Sequence, residues 1–248
     1  MWRIAAPMIL SNVSAPLLGM VDTGVMGHLD SSAYLGAVAI GSTIFTFMYI
    51  GMNFLRMGTT GIAAQSYGAD DHDGLRVALG QALIVSLVIA VALLVLQKPV
   101  GHVALFLLGG DATTQSLAGT YFSIRVWSAP GTLANYVMIG WFLGLQNARV
   151  PLLIFLTINV TNILLDLLFV IGLGMKIEGV ALASVIAEYT ALGVAVAFAA
   201  REMRNRTGRS PLTMFNPESA NPPSFSVNAN LFILSMSLTI TRRVIKAQ

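Results

Sequence analysis

Val77-Ala-Leu-Gly-Gln-Ala-Leu-Ile-Val-Ser-Leu-Val-Ile-Ala-Val-Ala-Leu-Leu-Val-Leu-Gln97 contains no ionisable side chain. At 1.5 Å rise per residue, ~20 such residues cross a ~30 Å hydrocarbon core. A soluble core helix is rarely so long and apolar on every face. The same pattern recurs on both sides of this stretch. From Ile4 to Gly27 the only ionisable residue is Asp22, and from Val150 to Met175 it is Asp166. The chain as a whole is 56% hydrophobic and 10% charged, against roughly 25% charged residues in an ordinary soluble domain. Its mean hydropathy is +0.77. The expected class is therefore an all-α integral membrane protein.

Six spans are expected, at 4–27, 34–55, 77–97, 117–143, 150–173 and 179–200. Breaks fall where turn residues and charges cluster, at 28–32, 68–74, 98–111, 146–149 and 174–179. The first span is too long for a signal-peptide core and carries an aspartate, so it reads as a retained helix. Residues 201–230 read as a polar cytoplasmic linker, rich in Asn, Pro and Ser beyond residue 205. The apolar run after it, within 231–248, is cut by Arg242 and Arg243 and is too short to span. It reads as the truncated start of a seventh helix.

Orientation follows from Lys and Arg. With the N-terminus inside, Arg3, Arg56, Arg76, Arg149, Arg201, Arg204, Arg206 and Arg209 lie on the cytoplasmic side. Only Lys98 and Lys176 face outward. The expected location is the plasma (inner) membrane, multi-pass. There is no cysteine, so no disulfide or thiolate chemistry. No Walker loop, dinucleotide turn, HExxH or nucleophile elbow is present. Nothing points to an enzyme, a cofactor or nucleic-acid binding.

A carboxylate inside a membrane helix costs several kcal/mol unless protonated, paired or wet, so it defaults to a functional hypothesis. Asp22 lies about 27 Å along the first span and Asp166 about 24 Å along the fifth. Both spans run outward, so the two carboxylates share a depth. Asn159, Asn162 and Asp166 fall at i, i+3 and i+7, one helical face. Ser184, on the returning sixth span, lies near the same level. Two carboxylates, two amides and a hydroxyl can supply oxygen ligands to a hard cation such as Na⁺ or hold protons. The alternative is a structural hydrogen-bond cluster joining helices. Arg125 and Glu188 share a depth on the fourth and sixth spans, and an ion pair is expected between them. His28 reads as a solvated loop residue. Pro7 and Pro16 interrupt the first span, and Pro130 with Gly131 the fourth. The Gly and Ala positions in 51–61 and 179–187 are expected to allow close helix packing rather than to form a nucleotide loop.

Several stretches resemble one family. They are Pro7-Met-Ile-Leu-Ser-Asn with Gly19-Met-Val-Asp22-Thr-Gly-Val-Met-Gly27, Arg56-Met-Gly-Thr-Thr-Gly-Ile-Ala-Ala-Gln65-Ser-Tyr-Gly68, Gly140-Trp-Phe-Leu-Gly-Leu-Gln-Asn-Ala-Arg149, and Asn159-Val-Thr-Asn162-Ile-Leu-Leu-Asp166 with Glu178-Gly-Val-Ala-Leu-Ala-Ser184. Together they resemble the MATE (multidrug and toxic compound extrusion) transporters, in wording closest to the DNA-damage-inducible (DinF-like) branch. The resemblance implies the N-terminal, six-helix half of a twelve-helix fold. It implies an antiporter that exports cationic or amphipathic compounds in exchange for H⁺ or Na⁺. It implies a coupling site at Asp22, Asn162, Asp166 and Ser184, with Asn135 a weaker match. Asp22, Asn162 and Asp166 are the ligands implied for Na⁺ if sodium is the ion. Pro7 matches the bending proline of the first helix. Besides the bilayer and small substrates, the implied partner is a missing C-terminal lobe or a second copy of this chain acting as a half-transporter. A transport-incompetent truncated domain is the remaining alternative.

Overall fold

A computed structural model describes residues 32–207. The first expected span, with Pro7, Pro16, Asp22 and His28, lies outside the described residues. So do the linker beyond residue 207 and the expected seventh-helix start.

The described chain is a bundle of helices: α1 (Ser32–Ile50), α2 (Asn53–Gly68), α3 (His72–Val95), α4 (Gln97–Leu108), α5 (Ala112–Arg125), α6 (Ala129–Gly144), α7 (Arg149–Asp166) and α8 (Ile177–Thr207). Four runs are long and apolar enough to cross a membrane: 33–68, 72–95, 149–172 and 177–206. The bundle sets a few polar side chains within an apolar core and turns large apolar ones outward. Thr59, Ser86, Ser128, Thr132, Asn135, Asn162, Asp166 and Ser184 are buried, while Phe47, Val88, Val95, Phe106, Leu164 and Leu173 are exposed. An aqueous protein does not carry apolar exposure on this scale. A chain whose outer solvent is hydrocarbon does.

Helix boundaries depart from the expected spans where apolarity and backbone bonding disagree. The second span was expected to end at residue 55, before Arg56. The helix instead resumes after a short turn at Gly51–Met52 and runs to Gly68. It stops where Asp70 enters the left-handed region at φ 55°. The amides of Asp70 and Asp71 then close back on Tyr67 and Ser66, satisfying carbonyls the helix end would orphan. Gln146 (φ 59°) ends α6 the same way, with Asn147 N–H bonded to the Phe142 carbonyl.

The expected outer loop 98–111 is largely helical, as α4. Its proline, Pro99, sits in the first turn, where the missing N–H breaks no intrahelical bond. The fourth span divides at a 3₁₀ turn, Val126–Ser128, just before Pro130. Proline cannot donate to the preceding turn, and the tighter turn bridges the gap. The seven residues at 201–207, expected as linker, continue α8.

Close packing falls within the expected stretches, though not at every glycine. Gly61 has no neighbour within 4 Å of an added Cβ, and at Gly51 only the Met48 carbonyl comes that near, at 4.0 Å. The close approach lies on α6. A Cβ at Gly140 would strike the Arg56 carbonyl, and one at Gly144 would sit 2.6 Å from Ala63 Cβ and 2.9 Å from the Thr60 carbonyl. Trp141, between them, is 1% exposed and donates from Nε1 to the Leu75 carbonyl at 3.0 Å. That bond ties α6 to the start of α3. On α8, Ala183, Ala187, Ala191, Ala195, Ala199 and Met203 are all buried. This spacing of four keeps small side chains along one face, so neighbouring backbones can approach. Gly179, within the expected 179–187 stretch, does pack closely, 2.9 Å from Met175 Cβ.

The basic residues sort to one end. Arg206 lies over the Tyr67 ring at 5.1 Å, and Arg149 and Arg201 line one shallow cavity with Asn147 and Asn205. Lys176 lies over Tyr34 at the opposite end.

Candidate cation site

Asp166 is the last residue of α7 and is 0% exposed. Asn162, one turn earlier, is 3% exposed, and Ser184 of α8 is 8% exposed. Of the two orientations of the Asn162 amide, one satisfies both of its ends. The nitrogen then donates to Asp166 Oδ2 at 3.2 Å. The oxygen accepts from the Ser184 amide at 3.2 Å and its hydroxyl at 3.3 Å. The amide thus bridges a carboxylate on one helix to a helix turn on the other.

The backbone contributes directly. Immediately after Asp166 the chain widens into a π turn, Leu167–Gly172. Its i→i−5 bonding is visible in Leu173 N–H to the Leu168 carbonyl at 2.9 Å. Single π turns occur frequently at functional sites, because they re-aim neighbouring side chains and loosen the ladder. Here the turn bounds the Asp166 site on the side away from the arginine-rich end.

Of the remaining expected residues, Asn159 is half-buried and joins none of these bonds among the described residues. It shares the helical face but lies about 10 Å away along the axis. Asn135 is 2% exposed and belongs to a different cluster. Its amide nitrogen donates to both the Glu188 carbonyl, at 3.0 Å, and Glu188 Oε2, at 2.9 Å. Glu188 was expected to pair with Arg125. The structure gives its carboxylate to Asn135 and sets the Arg125 guanidinium over the Phe45 and Tyr121 rings, at 5.4 and 5.7 Å. Arg125 remains near enough to act on Glu188 electrostatically. An aromatic face is a favourable seat for a cation withheld from water.

Sequence reasoning did not find the other members of this second cluster. Tyr49 of α1 and Thr132 and Tyr136 of α6 surround Glu188. Thr132, Asn135 and Tyr136 follow the i, i+3, i+4 rule for one face. That signal was present, but a threonine and a tyrosine within an apolar span draw no notice by themselves. Tyr49 comes from a distant helix and left no local signal.

Neither cluster contains a soft ligand. Asp166, Asn162 and Ser184 offer only oxygen and amide groups, which suit a proton or a hard cation. Among the described residues there is no group of three His, Cys, Asp or Glu side chains, the donor set a transition metal would need.

Comparison with known proteins gives the family. The MatE family profile matches residues 7–168. The DNA damage-inducible protein F of Escherichia coli (strain K12) is 46% identical over 192 residues, covering 77% of this chain and 42% of that protein. A probable multidrug resistance protein NorM of Thermotoga maritima is 24% identical over 216 residues, 84% of this chain and 46% of the relative. Among solved structures, a MATE protein in complex with MaD3S superposes with a TM-score of 0.79 at 20% identity, covering 98% of this chain and 53% of its own. The chain therefore spans somewhat under half the length of the curated relatives it matches.

Proposed function

Because this chain belongs to the MatE family, we propose that it forms the cation-site lobe of an antiporter. The antiporter exports cationic or amphipathic compounds in exchange for H⁺ or Na⁺. The observation that carries the reading is Asp166: a carboxylate with no exposed surface, inside a membrane bundle, bridged by Asn162 to Ser184. An ionised carboxylate there is costly. Binding a proton or Na⁺ lowers that cost, so occupancy and conformation are linked.

In this reading Asp22 completes the site, an assignment that rests on the resemblance. A cation arriving from outside neutralises Asp22 and Asp166 and changes the bend of the first helix at Pro7. Drug is expelled outward as a result. Substrate moves between this lobe and a partner lobe, supplied by a C-terminal half or by a second copy of the chain. The collection of arginines at one end supports a cytoplasmic position for that end, through the positive-inside bias, in a plasma membrane.

The test is ethidium accumulation in cells stripped of their own efflux pumps. Cells expressing the transporter with this lobe should accumulate less dye, and Asp22→Asn or Asp166→Asn should restore accumulation to the empty-vector level. Undiminished export by both variants contradicts the proposal.

A further inference from the structure

Glu188 lies four residues past Ser184 on α8, about 6 Å along the axis. It stands next to the Asp166 cluster without belonging to it. Its surroundings are unlike those of Asp166. Glu188 is half-buried, whereas Asp166 is fully closed. Three side-chain oxygens near it are without hydrogen-bond partners: Tyr49 Oη, Thr132 Oγ1 and Asn135 Oδ1. Their residues are 8%, 6% and 2% exposed. Thr132 lies beside both Tyr49 and Glu188, within reach of either.

A buried polar atom without a partner costs free energy, so three around one carboxylate call for an explanation. Hydroxyl groups can both donate and accept. Around an ionised carboxylate the Thr132 and Tyr49 hydroxyls can turn to donate. Around a protonated one, Thr132 Oγ1 can accept. Such a shell accommodates both states without moving a helix. A purely structural ion pair would instead hold fixed donors on the carboxylate.

We propose that Glu188 is a second proton-binding carboxylate of this lobe, exchanging its proton by way of the Thr132 hydroxyl separately from Asp166. The step is a simple transfer: the Glu188 carboxylate takes a proton from hydronium, leaving water, and returns it by the reverse. The charged and titratable groups facing it are Arg125 of α5, Tyr49 of α1 and Tyr136 of α6; Asp166 of α7 lies about 12 Å away along the antiparallel helix pair. Arg76 of α3 is remote from them, at the arginine-rich end beside Leu75, which Trp141 holds. Protonation also changes packing. Asn135 clamps α6 to α8 through a charge-assisted bond, which is roughly twice as strong as a neutral one. Neutralising Glu188 weakens that clamp and loosens α6 against α8. The proposal deepens the antiporter reading and rests on it for the use made of the proton.

Infrared difference spectra of the purified 248-residue chain in lipid nanodiscs, taken between mildly alkaline and mildly acidic buffer, test it. The expected result is a carboxylic C=O band that appears on acidification, is lost in Glu188→Gln and survives in Asp166→Asn. Thr132→Val keeps the carboxyl but removes its hydroxyl partner, so it should shift that band to higher frequency. This variant serves if Glu188→Gln does not fold. A Glu188→Gln spectrum identical to wild type, or a band unmoved by Thr132→Val, overturns the proposal. If Asp166→Asn loses no band and keeps efflux, the coupling role of Asp166 fails while the assignment of Glu188 stands on its own result.

Discussion

Two carboxylates on adjoining helices, about two turns apart in level, sit in different circumstances. Asp166 is closed off and bridged by an amide that is satisfied at both ends. Glu188 is partly exposed, clamped by the Asn135 amide nitrogen and neighboured by the Thr132 and Tyr49 hydroxyls. The difference lies in the shell: Asp166 is tied through the Asn162 amide to Ser184, whereas Glu188 is tied to Asn135 and neighboured by hydroxyls that can both donate and accept.

The largest effect should come from removing the closed carboxylate. Asp166→Asn should abolish coupled export, measured as ethidium accumulation, without unfolding the lobe, because asparagine keeps the shape and one oxygen. If export persists, the asymmetry between the two carboxylates has no transport meaning. A comparably large effect, on stability, should come from crowding α6 against α2. Gly140→Val would drive a branched side chain into the Arg56 carbonyl, at a cost of about 1–3 kcal/mol. A lowered midpoint in detergent thermal unfolding checks this; an unchanged midpoint would mean that α2 and α6 can part freely.

Asn162→Ala sharpens the comparison. It strips Asp166 Oδ2 and the Ser184 amide of one partner at once, and leaving buried polar groups unsatisfied costs about 2 kcal/mol. The matching change at Asn135 should cost less, since three oxygens of its cluster are already unpartnered. Equal losses in the two variants would erase the distinction drawn here. Asp70→Gly tests a helix end outside both clusters. It relieves a left-handed residue at φ 55° and should stabilise by about 1 kcal/mol.

The smallest effect is a pH dependence at the α5 start. The Thr114 hydroxyl and amide hold the Asp111 carboxyl below its ordinary value. Its contribution is therefore complete above the unfolded pKa and is lost as pH falls through the lower, folded one. Protection factors of the amides in the first turn of α5, taken relative to the intrinsic exchange rate at each pH, should fall in acid and should not do so in Asp111→Ala. Wild-type protection factors indifferent to acid contradict this.

Much of the fold was legible because membrane solvent writes long, uncharged runs into a sequence. The Asp166 site was legible for a related reason: an ionisable residue in such a run is conspicuous, and Asn162 lies on its face. Helix ends were less so. Arg56 seemed to mark an exit from the membrane, but the α2 backbone continues until Asp70 supplies a left-handed stop. Likewise the 98–111 stretch, with its lysine, histidine and proline, disguised the helix α4. The Glu188 cluster was only half legible. Its charge stood out, but Tyr49 and Thr132 reach it through tertiary packing, which no periodicity records.

The central claim is that ion movement through this lobe depends on Asp166. Its most direct test uses vesicles containing the transporter, with an imposed proton or sodium gradient, to which ethidium is added. The account predicts that the dye dissipates one of these gradients with wild-type protein and neither with Asp166→Asn. Equal dissipation by both proteins would contradict it.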